Sequence, residues 1–181
     1  MATPAGQSIK HLQRTDTMTT IRPYQESDWP ALWPMLQATF AAGDTYTFAP
    51  DSTENDIHKA WIELPRSTFV ACDDDGMLLG TYYIKPNQAT LGDHVCNCGY
   101  VVSAHARGRG VAPQMCEHSQ AQATAMGFRA MQFNFVVATN EVAVKLWQKM
   151  GFEIVGRLPA AYRHQRLGYV DALVMFKTLV G

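Results

Sequence analysis

The stretch that decides the reading is HARGRGVAPQMCEHSQAQATAMGF, residues 105–128. It opens with two glycines set between arginines and continues as a run whose small or apolar residues, Met115, Cys116, Ser119, Ala123 and Met126, fall at helical spacing. A glycine follows at Gly127, where a helix would end. A helix N-terminus leaves about four N–H groups without partners, and glycine ahead of it allows a ligand to approach the backbone. Arg107, Gly108, Arg109, Gly110, Val111 and Ala112 therefore read as a diphosphate cradle. Three other anion readings fail on the letters. A nucleoside-triphosphate loop needs G-K-[ST], and Val111, Ala112 and Pro113 stand after Gly110. A dinucleotide fingerprint needs a small residue where Pro113 stands. One R-G-R-G is poor support for an RNA-binding segment. On these letters alone a plain glycine turn into a helix stays open as well.

The surroundings of the stretch narrow the choice. The chain has 181 residues, 47% hydrophobic and 17% charged, which suits one globular domain. Fifteen Lys and Arg against sixteen Asp and Glu give a net charge of −1, so no broad basic field exists to hold nucleic acid or an anionic membrane. No apolar run approaches the ~20 residues of a membrane helix, and the N-terminus lacks the apolar core of a secretory signal, which points to the cytoplasm. Cys72, Cys96, Cys98 and Cys116 contain no C-x-x-C pair and read as free thiols. Residues 1–18 read as a flexible tail, with Met18 a second candidate start, and 19–181 as a single domain.

Working outward, a strand is expected at Thr20–Pro23, then a helix capped by Ser27 or Asp28 with Leu32, Leu36 and Phe40 inward, stopped by Gly43. A second helix is expected from Thr53 to Glu63. STFVACDDDGMLLGTYYIKP (67–86) reads as a hairpin about an Asp-Gly turn. HVCNCGYVV (94–102) is a third β run, leading into the opening stretch. RAMQFNFVV (129–137) is a strand with Met131, Phe133, Phe135 and Val137 on one face and Gln132 and Asn134 on the other. TNEVAVKLWQKMGF (139–152) is a helix capped by Asn140, with Ala143, Leu146, Trp147 and Met150 inward. Two β runs close the chain, Phe152–Leu158 and Val170–Leu179. The order β-α-α-β-β-β-α-β-α-β-β predicts an α/β (α+β) domain with a mixed, mostly antiparallel sheet, about four helices, and one parallel pair formed by the strands ending at Val102 and Val137.

With both elements in view, RGRGVA (107–112) resembles the R/Q-x-x-G-x-G/A signature of the GNAT superfamily of acyl-CoA-dependent N-acetyltransferases. NEVAVKLWQKMGFEIVG (140–156) resembles that superfamily's N-x-x-A-x-x-L-Y-x-K-x-G-F element, in the expected order. GTYYIKPNQ, HVCNCGYVV and FNFVVATN are similar to the subgroup of fungal acetyltransferases acting on azetidine-2-carboxylate and other proline analogues.

The resemblance implies a GNAT-like sheet with a splayed parallel pair, acetyl-CoA as co-substrate, and direct attack of a free amine on the thioester. It implies that Val101 and Val102 meet the pantetheine arm, Arg107 to Ala112 hold the diphosphate, Asn140 and Trp147 flank the distal arm, and an N–H near Tyr100 holds the oxyanion. Trp147 stands where many members carry an acid tyrosine, and indole has no proton to give, so no catalytic residue is assigned. Tyr46, Tyr100 and Tyr162 are weaker candidates for that acid. Asn97 and Asn134, polar residues within apolar β runs, are expected to bind the acceptor in preference to satisfying backbone groups. In the subgroup the matching asparagines contact substrate. AGDTYTFAP (42–50) is expected to be a lid, with Thr45 and Tyr46 facing the acceptor.

His94, Cys96 and Cys98 alternate on one strand, but His94 and Cys98 would stand roughly 13 Å apart at the strand rise, so no metal is expected. The expected partner is a small-molecule amine, a proline analogue or other amino acid, and terminal strands of this fold allow a homodimer. Two other readings keep the cofactor: acetylation of a peptide or protein N-terminus, and a non-catalytic acyl-CoA sensor.

Overall fold

A computed structural model describes residues 19–180. The expected tail, residues 1–18, lies outside the described residues. The chain folds as β1 (Thr20–Pro23), α1 (Trp29–Ala41), α2 (Glu54–His58, continued by a π turn over Lys59–Glu63), β2 (Ser67–Cys72) and β3 (Leu78–Pro86). Then follow β4 (Val95–Val102), α3 (Val111–Ala125), β5 (Ala130–Val137), α4 (Glu141–Lys149), β6 (Glu153–His164) and β7 (Gly168–Thr178). The seven strands form one sheet in the order β1-β2-β3-β4-β5-β7-β6, antiparallel except at β4–β5, as the element order predicts.

That parallel pair is barely a pair. β4 and β5 run alongside only at Val95 with Ala130 and Cys96 with Met131. Beyond these positions the strands separate, although β4 continues to Val102 and β5 to Val137. Asn97 stands at the crotch of this fork. Its Nδ2 donates to the Gln132 carbonyl at 2.9 Å and its Oδ1 accepts from Tyr83 Oη at 3.2 Å. One side chain thus supplies the first bridge where the ladder stops.

Two cores hold the sheet. On one face Cys96, Cys98, Met131 and Phe133 pack under Val111, Met115 and Cys116 of α3, with Trp147 of α4. On the other, Leu32, Leu36 and Phe40 of α1 and Trp61 cover Val101. Burying such side chains contributes about 1.5–3 kcal/mol each. The caps behave largely as the letters predict. Thr53 accepts from Asp56 N at 3.2 Å, Asn140 accepts from Ala143 N at 3.2 Å, and Gly127 takes a φ of +89° after α3.

Three expectations are corrected. Asp28 precedes α1 but does not cap it with its side chain; the carboxylate turns back to take Arg22 Nη1 and Nη2 at 2.8 and 2.7 Å and Gln25 N at 2.8 Å. The two-faced alternation of β5 holds as far as Asn134, which is exposed on the face opposite Met131 and Phe133, and breaks at a bulge between Phe133 and Val136, so that Phe135 is only half-buried and Val136 and Val137 are both buried. The last two strands are longer than their apolar runs, because β6 carries mostly exposed side chains along the sheet edge and its periodicity is weak.

The Arg22 guanidinium holds the Asp28 carboxyl below its ordinary range; burial opposes this and the Gln25 N–H assists. Because the folded-state value is depressed, the stability it confers is full above the unfolded value of about 3.9 and is lost as pH falls through the lower folded value. Urea titrations of wild type and Asp28→Asn should therefore show a stability gap at pH 6 that closes below about pH 4. A gap unchanged across that range would contradict the ion pair.

Candidate active site

The fork leaves main-chain groups facing open space. In an antiparallel ladder, alternate residues direct N–H and C=O to one neighbour. Asn87 N donates to Val95 O and Ser103 N to Leu79 O, so the odd residues of β4, Val95 to Ser103, face β3. The even residues Cys98, Tyr100 and Val102 consequently face the gap toward β5. Of the two valines expected at the cofactor arm, Val102 presents main-chain groups to the fork, and Val101 directs its own to Thr81.

Tyr46 enters this gap from the segment after α1. Its hydroxyl donates to the Tyr100 carbonyl at 2.8 Å and accepts from the Tyr100 N–H at 2.7 Å. The segment is held from the far side. Tyr162 Oη donates to the Tyr46 carbonyl at 3.0 Å, and Gln165 N to the Gly43 carbonyl at 3.4 Å. Tyr162 is aimed by a bulge in β6 between Leu158 and Tyr162, where Ala160 takes a φ of +50°, a conformation costly for a side chain with Cβ. Asp171 fixes the bulge, accepting from Ala160 N at 2.9 Å and from Arg157 Nη1 at 2.6 Å.

All three tyrosines considered as proton donors are committed elsewhere. The Tyr100 phenol bonds Ser119 Oγ at 2.7 Å beneath α3, Tyr162 holds the Tyr46 carbonyl, and Tyr46 holds Tyr100. Burial pushes the Tyr46 and Tyr100 hydroxyls well above the ordinary tyrosine value, which makes them poor acids toward a thiolate. Burial likewise raises the Cys98 thiol, so it is no nucleophile. Trp147 packs between Tyr100 and Phe133, with centroids at 4.9 and 5.0 Å.

Below Tyr46 the α1/α2 face of the sheet carries a polar floor. Tyr83 lies so close on Gly99 that a Cβ there would sit 2.6 Å from its ring. Asn97 is 8% exposed and bound to Tyr83 and Gln132. Asn134 accepts from Gln132 Nε2 at 2.8 Å and donates to Asn87 Oδ1 at 2.6 Å. The two expected asparagines are thus joined through Gln132, and Asn97 also serves the backbone role that was set against ligand binding.

At the open end of the fork, Gly108 and Gly110 adopt φ of +74° and +78°, which explains both glycines. Gly110 is the left-handed residue before α3, and its Cβ position meets only Gln114 Nε2 at 3.8 Å. Val111 and Ala112 form the first helical turn, whose N–H groups have no acceptor within the helix. A cavity of about 540 Å³ between α1 and the end of β4 brings together Thr45, Val102 and Arg107. A second, of about 550 Å³, lies between segment 43–50 and the β6–β7 hairpin and is lined by Tyr46, Phe48, Tyr162, Arg163 and His164. Asn140 is occupied as the cap of α4.

Sequence reasoning missed Tyr83, Lys85, Asn87 and Gln132. The polar letters of GTYYIKPNQ, alternating in a β run, could have signalled the first three, and the alternation of RAMQFNFVV the fourth.

The sequence model of the Acetyltransferase (GNAT) family matches residues 29–152. N-acetyltransferase aca1 of Schizosaccharomyces pombe is 37% identical over 100 residues, 54% of this chain and 47% of that protein. The matched region spans less than half the length of the curated relatives. A GCN5-related N-acetyltransferase from Kribbella flavida superposes with a TM-score of 0.84 at 40% identity, covering 88% of this chain and 97% of that one. A phosphinothricin acetyltransferase from Sinorhizobium meliloti, solved in complex with AcCoA, superposes with a TM-score of 0.80 at 19% identity, covering 90% and 89%, which speaks for the fold alone.

Replacing Tyr46 with Phe removes both bonds to Tyr100. At about 1 kcal/mol net per neutral hydrogen bond, chemical denaturation should register a loss of roughly 1–2 kcal/mol. A loss near zero would show that the contact does not hold the segment.

Proposed function

The chain belongs to the Acetyltransferase (GNAT) family, and from that premise we propose that it transfers the acetyl group of acetyl-CoA to the amine of a small molecule, a proline analogue or other amino acid. The observation that carries the reading is the fork: β4 turns the main-chain groups of Tyr100 and Val102 into a gap that ends at the left-handed glycine turn. Residues of this kind suit acetyl-CoA as co-substrate. Val102 would pair with the amide-bearing arm, and Arg107, Gly108, Arg109, Gly110, Val111 and Ala112 would take the diphosphate through N–H groups and charge. Asn140 and Trp147 would serve indirectly, one capping α4 and the other backing Tyr100.

In the proposed reaction the amine nitrogen bonds to the thioester carbonyl carbon, the C–S bond breaks, and the amine proton passes to solvent. The Tyr100 N–H is the donor aimed at the developing oxyanion. To free it, the Tyr46 hydroxyl must withdraw, since both would use one hydrogen. A thiolate whose conjugate acid lies near ~8.5 leaves without a protein acid, in keeping with Trp147 and three committed tyrosines. Thr45, Tyr46, Asn97 and Asn134 would border the acceptor on the α1/α2 face. The proposal includes a cytoplasmic location and a homodimer. Ile154, Val155 and Leu158, exposed on edge strand β6, offer support for pairing there.

Thiol release from acetyl-CoA on a panel of proline analogues, amino acids and peptides tests the reading, with turnover expected on the first two classes. Gly110→Val, which forces a branched residue into a φ of +78°, should raise KM for acetyl-CoA at least ~10-fold and leave the amine KM within about twofold. Tight CoA binding with no turnover on any amine would overturn the enzyme reading in favour of a sensor.

A further inference from the structure

Among the described residues three cationic side chains are half-buried: Arg22, Lys85 and Lys177. Arg22 is paired bidentately with Asp28, and Lys177 donates to Gln120 Oε1 at 2.5 Å and to the Met150 carbonyl at 2.7 Å. Lys85 has no hydrogen-bonding or ion-pair partner among the described residues; its Nζ rests 5.2 Å from the centroid of the Tyr83 ring. A half-buried lysine lays its apolar stem on the protein and keeps its head group available, here over a phenol face and with no anion beside it.

The position of Lys85 gives it meaning. It stands opposite Asn97 in the β3–β4 ladder, on the sheet face that carries Tyr83 and the polar floor. Tyr83 lies directly on Gly99, the residue before Tyr100, and bonds Asn97. The ammonium and the Gly99 backbone thus lie against the same aromatic ring. Around it Asn87, Asn97, Gln132 and Asn134 are all neutral amides, bonded to one another or to the backbone and supplying no negative charge. A floor of satisfied amides with one unpaired cation is built for a ligand that brings its own anion.

We propose that Lys85 is a specificity-determining residue of the acceptor site, pairing its ammonium with a carboxylate carried by the amine substrate. The inference rests on the acetyltransferase reading above and adds to it the residue that recognises the acid group of the acceptor. The flexible four-carbon stem of lysine lets the charge follow the carboxylate while Tyr83 and Asn97 stay fixed.

The test compares azetidine-2-carboxylate with azetidine-2-carboxamide, which differ in charge and little in shape, on wild type, Lys85→Met and Lys85→Arg. Wild type should favour the acid by tenfold or more in kcat/KM. Lys85→Met should lower kcat/KM for the acid about 10- to 100-fold, mainly through KM, with the amide and acetyl-CoA KM values within about twofold, and Lys85→Arg should recover most of the loss. An equal fall for acid and amide, or no fall for the acid, would overturn the role of Lys85. If wild type acetylates neither, the acetyltransferase reading fails on these acceptors, and calorimetric titration with the same two compounds decides Lys85 separately. Binding of the acid that vanishes in Lys85→Met supports the pairing; equal or absent binding in both proteins refutes it.

Discussion

The constraint on which the rest depends is the requirement that main-chain N–H and C=O groups away from water find partners. After Cys96 and Met131 the β4–β5 ladder stops, and every second residue of β4 is left facing a gap. A sheet tolerates such a split only where other groups satisfy the freed backbone. Asn97 bridges the crotch to Gln132, and Tyr46 satisfies both main-chain groups of Tyr100 with one hydroxyl. These same groups make the split useful, because a partner that can be exchanged is also a place where a substrate amide or carbonyl can bind.

The fork is supported from outside as well as within. Tyr46 is fixed by Tyr162, Tyr162 is aimed by a bulge, and the bulge is held by Asp171 against the positive φ of Ala160. Asp171 also holds the residue that follows β5, its carbonyl accepting from Ala138 N at 2.9 Å. The carboxylate is held below its ordinary range by the Ala160 N–H and by Arg157, so it stays charged at neutral pH. Local strain in an edge strand is thereby coupled to the position of the Tyr46 hydroxyl on the Tyr100 main chain. Beside these supports the α1/α2 core covers Val101 and Tyr83, and the polar floor with Lys85 lies past it toward the end of β3.

The features legible in the letters were those with local causes. The element order follows from turn chemistry and periodicity, and Gly108 and Gly110 are written into the sequence because only glycine takes left-handed angles cheaply. Thr53 and Asn140 announce their helices by the oxygen each offers to a backbone N–H. The illegible features have distant causes. Phe135 alternates as a core residue would, and a bulge in the pairing with β7 turns it out and puts Val136 inward instead. Tyr46 and Tyr100 are 54 positions apart in sequence, and no pattern in either segment states that one phenol fills the hydrogen-bonding groups of the other. Lys85 reads as an ordinary exposed lysine until the fold shows that it lacks the partners Arg22 and Lys177 possess.

The central claim is that the even-numbered residues of β4 receive the cofactor. Amide ¹H–¹⁵N spectra recorded during titration with acetyl-CoA test it residue by residue. Tyr100 and Val102 should shift together with Gly108, Gly110, Val111 and Ala112, while Gly99 and Val101, whose N–H groups face β3, move little. Large shifts at Gly99 and Val101 with Tyr100 and Val102 unmoved would contradict the account.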